Sequence, residues 1–481
     1  MEPIKARTVG LALIFGLFMT AGINTWVVDF SLSRNVFTGS DFAHYCEATD
    51  AVRQGLSSPR SHHRSWIASQ VPGAFASAYG IIDGLAITAL ISTIITIGAL
   101  FLWGWVLGGP LAAVLSAVSV AAFAPLVVLT RNLTFYPQLA AIISLTAWAT
   151  AWLIERRSLG HLAWAGALAA TAGLMQMQGF FFALPAFLIV CAVALWARSL
   201  KTIATRMGVV FLIIGLSGLM GQKAYPDQGY HNSIEAEVFR FVKTLNNPLR
   251  TTGSTLPPVE SCDYPLQDGF RWDKPHPMRL LQAIGCMNEL RQQADERLEQ
   301  VADSHAVQAY RRHRDPWMKP LGVAFLLAIL GLRRRPAALV GLLITTIPYG
   351  LYLYYGVVDG TIRRLTLGFL SAPIIVGLAG TSLKHALNRM IGNPWATRTI
   401  WASVVVWTLM LFGAIPSPVH PAASWRDVIP TINEVEDSIT WEFSSHEGQR
   451  LCHHAMQNDA EKGVPLLGRL GSQYARSRHQ E

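Results

Sequence analysis

The sequence predicts an all-α polytopic membrane protein, and three observations carry that prediction. Apolar windows recur that reach or approach the roughly 20 residues a helix needs to cross about 30 Å of hydrocarbon. Across 481 residues 51% are hydrophobic, only 14% are charged and the mean hydropathy is +0.33, a membrane composition rather than that of several soluble domains. Lysines and arginines gather in short stretches between the apolar windows, alternate stretch by alternate stretch, as the positive-inside rule requires.

By the length criterion there are about eleven spans. The first, 8–30, is too long for the apolar region of a secretory signal and reads as a retained anchor. Lys5 and Arg7 before it place the N-terminus in the cytoplasm, so the loop at 31–83 is outside. That loop could form short helices lying on the membrane surface. Spans at 84–106, 111–129, 139–154, 162–180, 181–196 and 207–222 complete an N-terminal transmembrane module over 1–222. Their inner turns are Gly108-Gly109-Pro110, Glu155-Arg156-Arg157 and the stretch holding Arg198, Lys201 and Arg206.

Residues 223–316 are far too many for a connection and predict an extracytoplasmic loop domain with helical segments at 234–245 and 277–312. Spans at 317–332, 337–355, 365–383 and 400–415 form the C-terminal transmembrane region, 317–415. The tail, 416–481, is then extracytoplasmic. The net charge of +9 comes from 39 Lys and Arg against 30 Asp and Glu. Because those cations fall in inter-span loops, topology accounts for them and no nucleic-acid partner is implied.

Cys46, Cys262, Cys286 and Cys452 all fall in segments assigned outside, where disulfides persist, and Cys191 alone lies in a span. Four oxidised cysteines allow three pairings; Cys262 with Cys286 is the most local, leaving Cys46 for Cys452.

The residues that could carry chemistry sit at the outer face. In Asp41-Phe42-Ala43-His44-Tyr45-Cys46-Glu47-Ala48, Asp41 is a carboxylate near the membrane surface, able to serve as a general base toward a hydroxyl. His44 and Glu47 lie about one helical turn on. By spacing alone, helix capping is the more ordinary role for an aspartate after Gly39-Ser40.

Arg363 and Arg364 stand at the outer end of a span, against the inside bias, and guanidinium groups suit a phosphate at headgroup depth. Snorkelling to lipid phosphates is the plainer alternative. Arg131, in the short outer loop after the third span, is a weaker case of the same kind. Gln176 and Gln178, at the outer end of the fifth span, could bond a sugar, but bonding between helices is their more ordinary role. His62-His63 and Cys452-His453-His454 lack further ligands at a recognisable metal spacing. Soluble-nucleotide and common hydrolase motifs do not occur.

Taken together, Ser40-Asp41-Phe42 followed by Tyr45, Ala48 and Gly55, the short outer loop ending Tyr136-Pro137, and Arg363-Arg364 followed by Leu370 and Pro373 resemble the GT-C superfamily of membrane glycosyltransferases. The resemblance runs over about 1–380 as an order of segments and implies a GT-C-like fold. It implies a hexosyl- or pentosyltransferase taking sugar from a polyprenyl-phosphate donor in the bilayer to a glycan, lipid or protein acceptor. Asp41 matches the family's general base and the late arginines match its phosphate-holding region, with His44, Tyr45, Glu47, Arg131 and Tyr136 as further substrate-binding candidates. Many relatives carry an acidic residue before the loop proline where this chain has Tyr136. No metal ligand is therefore assigned, and a divalent ion, though compatible with the family, is not expected to be required.

A transporter or flippase is the chief rival class, but its polar features belong near mid-membrane in paired halves, and here they gather at one face. A polymerase or ligase of lipid-linked glycans would use the same outer arginines, and a catalytically silent scaffold would keep the fold alone. The composition and short loops suit a bacterial inner membrane, with the C-terminus extracytoplasmic.

Overall fold

The computed structural model describes residues 42–56, 65–120, 134–176, 178–196, 199–224, 305–359 and 362–392, with isolated positions at 123, 126 and between 395 and 406. The expected spans at 8–30 and, for the most part, 400–415 lie outside the described residues. So do 225–304, most of the expected loop domain, and the tail.

Twelve helices are described. They are α1 (Phe42–Arg53), α2 (Trp66–Tyr79), α3 (Ile81–Gly108), α4 (Pro110–Ser119), α5 (Tyr136–Arg156) and α6 (Leu159–Met175), then α7 (Gly179–Leu195), α8 (Leu200–Ala224), α9 (His305–Leu332), α10 (Pro336–Asp359), α11 (Ile362–Phe369) and α12 (Ala372–Ile391). Among the described residues six stretches are long and apolar enough to cross a membrane: 84–108, 136–156, 200–224, 314–332, 336–353 and 366–390. With the shorter apolar helices α4, α6 and α7, they follow the sequence-predicted spans in order, and the chain is an all-α integral membrane protein.

Each turn between spans has a local cause. Gly109 adopts φ 81°, open only to a residue without Cβ, and Pro110 opens α4 where its missing N–H is no loss. Gly80 does the same at φ 92° between α2 and α3. Arg157 closes α5 in the left-handed conformation, and Ser158 caps α6 by accepting from the His161 amide at 3.3 Å.

Packing inside the bundle rests on small residues that let backbones approach, since lipid offers no hydrophobic drive between helices. The three-way contact of α3, α4 and α12 is built this way. A Cβ added at Gly104 would come within 2.7 Å of Ser116 Oγ and 2.9 Å of the Ala112 carbonyl, and one at Gly377 would meet the same two groups. Trp103, Leu107, Leu342 and Tyr349 fill the centre of the main core, where Tyr349 donates its hydroxyl to the Ile143 carbonyl at 3.2 Å. By contrast α8 buries little: Phe211 is 63% exposed and Leu219 64%, as a lipid-facing helix should be.

One end of the bundle is tied together by arginine. Arg335 Nη1 donates to the Leu107 carbonyl at 2.8 Å and its Nη2 to Glu155 at 2.8 Å, joining the α9–α10 turn to the ends of α3 and α5. Arg206 donates to the Val193 carbonyl at 3.0 Å and the Arg157 carbonyl at 2.6 Å, gathering α5, α7 and α8. These are the loops that the charge pattern assigns to a single side.

Two elements differ in extent from the sequence reading. α9 begins at His305 and runs on through Pro316 and Pro320, so the span expected from Trp317 is the second half of a longer helix. α4 ends at Ser119, with the remainder of the span expected to 129 largely outside the described residues.

Gly377→Ala should lower stability by about 1–3 kcal/mol, because the new methyl meets the Ala112 carbonyl at 2.5 Å as well as Ser116 Oγ, and the carbonyl cannot rotate away. Gly215→Ala, on a face with nothing within 4 Å, should be neutral or slightly stabilising. Thermal melts of both variants in detergent compare the two directly.

Candidate functional site

The end opposite the arginine ties is covered by α1 and α2, which do not lie loose on a surface but pack into the bundle. α2 turns back on α3 as a tight pair: a Cβ at Gly84 would stand 2.7 Å from the Pro72 carbonyl and 2.6 Å from the Ala76 amide. Ser65 caps α2, its Oγ accepting from the Ala68 amide at 3.4 Å while donating to the Leu174 carbonyl in α6. α1 rests on α2 through Val52 and the Thr49 carbonyl, both against Gly73. Asp50 braces the far end of α1, accepting from Arg53 Nε at 2.8 Å and Gln54 Nε2 at 2.6 Å.

Tyr45 is the pivot of this arrangement. It is fully buried, its ring meets Phe135 edge-on at 4.8 Å, and its hydroxyl accepts from Gln176 Nε2 at 3.4 Å. Thus the first loop, the turn before Tyr136-Pro137 and the α6–α7 junction, three segments far apart in sequence, meet at one place. Gln176 and Gln178 flank that junction and are 6% and 9% exposed; the Gly179 amide donates to the Gln176 carbonyl at 2.9 Å. Gly179 in turn crosses close to Leu139, whose Cδ1 would lie 2.9 Å from a Cβ there.

α11 reaches the same end from the C-terminal helices. Tyr352 of α10 packs on Phe181 and Phe182 at ring distances of 6.1 and 4.9 Å, just past the α6–α7 junction. α11 then folds back on α10, with Gly368 against Leu353, and Arg314 of α9 donates to the Leu353 carbonyl at 3.3 Å. Phe369 anchors it, stacked near Phe123 at 5.5 Å, which itself meets Trp317 at 4.9 Å.

The sequence-predicted residues fall on this frame as follows. Asp41 lies outside the described residues and directly precedes Phe42, the first residue of α1. His44 lies in the first turn of α1, and Arg363 and Arg364 lie in α11; for these three the helical backbone alone is described. Glu47 is half-buried on α1. Tyr136 opens α5, 5% exposed in the main core, and its amide donates to Thr134 Oγ1 at 3.2 Å. Arg131 lies outside the described residues, as do Cys262, Cys286 and Cys452. Cys46 is buried and disulfide-bonded to a partner outside the described residues, and Cys191 is a free thiol in α7. Among the described residues no group of three or more His, Cys, Asp or Glu is arranged to hold a metal ion.

Sequence reasoning missed Gln138. It sits in the first turn of α5, 6% exposed, and its Nε2 has no hydrogen-bond partner. The available signal was a third glutamine at an outer helix end, beside the two at 176 and 178.

No protein-family model matches the chain, and no curated protein matches it. Among solved structures it is similar to the oligosaccharyltransferase of Archaeoglobus fulgidus, crystallised with Zn and sulfate, at 14% identity and a TM-score of 0.49 over 84% of this chain and 52% of that one. The chain thus spans about half the length of that relative. It is also similar to ArnT from Cupriavidus metallidurans, in the apo state at 14% identity and TM-score 0.36 over 80% of each chain. Against the same protein bound to undecaprenyl phosphate the values are 14% and 0.34 over 89% of each.

Ser65→Ala removes both the α2 cap and the link to α6 and should cost about 1–2 kcal/mol. Tyr45→Phe gives up the long bond from Gln176 and should cost less, on the order of 0.5–1 kcal/mol. Thermal melts that rank the two in this order check the arrangement.

Proposed function

We propose that the chain is a glycosyltransferase that moves a sugar from a polyprenyl-phosphate carrier to a hydroxyl acceptor at the outer membrane face. The observation that carries this reading is the convergence of α1, the turn before Tyr136, the α6–α7 junction and α11 on one end of a membrane bundle. Phe42, which follows Asp41 in sequence, opens α1, and the arginine pair lies in α11; both helices belong to that same end.

The chemistry asks for such an arrangement. Displacement at the anomeric carbon needs a base on the acceptor hydroxyl, and the departing carrier phosphate gains charge that fixed cations stabilise. Asp41 is assigned the first role and takes the acceptor proton. Arg363 and Arg364 are assigned the second, with Arg131 as a further candidate for the same role. A donor whose lipid stays in the bilayer explains a site at the end of spans rather than in a soluble domain.

The end that holds α1 is assigned to the extracytoplasmic side, with the N-terminus inside and the C-terminus outside, in a bacterial plasma membrane. Two features support this: the arginine-bearing loops share the opposite end, and Cys46 is disulfide-bonded near the proposed base while Cys191, in a span, is free. Pairing of Cys46 with Cys452 and of Cys262 with Cys286 is proposed to fasten the outer segments. The residues at 225–304 are assigned to covering the site and selecting the acceptor.

Asp41→Asn should reduce transfer from a radiolabelled polyprenyl-phosphate sugar by about 10²–10⁴-fold while the protein elutes as wild type on size exclusion. Equal transfer by both proteins would return Asp41 to helix capping. Absence of transfer by wild type from a panel of donors would favour the transporter or scaffold readings.

A further inference from the structure

Three glutamines lie buried at the end where α1 meets the bundle, on segments that also carry Phe135, Leu139, Leu174 and Gly179. Their positions are linked through the contacts that build this end. Gln138 stands one residue before Leu139, which touches Gly179; Gln178 immediately precedes Gly179; and the Gln176 carbonyl accepts the Gly179 amide at 2.9 Å. Gln176 Nε2 reaches only as far as the Tyr45 hydroxyl at 3.4 Å, a long contact, and Gln138 Nε2 reaches no acceptor at all.

A primary amide sealed from water without a partner is destabilising, and leucine at the same place is the better choice for packing alone. Interhelical bonding, the ordinary reason for glutamine in a membrane helix, does not account for the Gln138 nitrogen, which bonds no helix. What the cluster offers instead is neutral donors and acceptors without charge. That suits hydroxyl groups, each both donor and acceptor, better than a phosphate, for which α11 supplies arginines.

We propose that Gln138, Gln176 and Gln178 form the subsite that bonds the hydroxyls of the carrier-linked sugar and so select which sugar is transferred. This rests on the glycosyltransferase reading and adds a specificity role to it. α1 covers the subsite through Tyr45 and is the element that a sugar must displace to enter.

The test uses the full chain in nanodiscs, with polyprenyl-phosphate mannose, glucose, galactose and arabinose, and with polyprenyl phosphate bearing no sugar. Gln138→Leu and Gln178→Leu should melt at or above the wild-type temperature. KM for the preferred sugar donor should rise about tenfold, with the preference among the four sugars flattened, while binding of the sugarless carrier is unchanged. Gln138→Asn, which keeps the amide on a shorter stem, covers the case in which a leucine variant fails to fold, and should likewise change the order of sugar preference.

Variants that melt lower yet keep the wild-type sugar preference would make the amides packing groups and overturn the proposal. Equal weakening of sugar-bearing and sugarless carriers would assign them to the phosphate and overturn it as well. If wild type transfers no sugar from any donor, the glycosyltransferase reading itself falls; intact transfer with unchanged selectivity in the variants removes the subsite alone.

Discussion

A chain in hydrocarbon finds no water for its amides and carbonyls, and every feature of this bundle follows from that shortage. Helices satisfy the backbone internally, and the hydroxyls of Thr88, Thr93, Thr96, Thr146 and Thr150 bond back to carbonyls four residues earlier rather than waiting for a partner helix. Association is then left to close fit, which explains why Gly84, Gly104, Gly179 and Gly377 sit where backbones cross. Where a helix must end, something else supplies the missing donors. At one end it is the guanidinium of Arg206 or Arg335, aimed at the last carbonyls of α5, α7 and α3.

The same constraint makes the two ends unlike. The arginine end is closed by ordinary turns and charge-assisted bonds. The other is roofed by α1 and α2, pieces too short to span, held by Tyr45 and Ser65 to the Gln176 amide and the Leu174 carbonyl at the end of α6. Polar side chains are tolerated there because helix ends already require them. That is where a membrane protein can assemble chemistry without exposing it to lipid, and it is where Tyr45, Phe135 and Gln176 meet.

Much of the architecture was readable from composition, because span length and loop charge are dictated by the bilayer itself. The apolar windows from 84 to 222 and from 317 to 383 return as α3 to α10 and α12 in the same order. What hydropathy did not settle were boundaries that depend on tertiary contact. Pro316 reads as a helix start, yet α9 passes through it, with Trp317 held by Phe123 and Arg314 by the Leu353 carbonyl. α1 and α2 read as surface helices because their apolar residues are interspersed with polar ones; the partners that bury them, Phe135 and Leu174, are about 90 residues or more distant in sequence. Gln138 was invisible for a related reason. A glutamine in the first turn of a helix ordinarily meets water, and only the fold places it inside.

Arg335 bonds groups 228 and 180 residues before it. During synthesis, the ends of α3 and α5 are therefore in place long before their clasp emerges from the ribosome. The N-terminal helices must stand in the bilayer with those carbonyls served by water, and the late helices then dock onto a finished template. A chain stopped before residue 335 would already own the contacts of Tyr45 with Phe135 and Gln176, but the strut joining its halves would be missing. Assembly is thus ordered in time, with the roof of the site built first and the half that carries the second charged group added last.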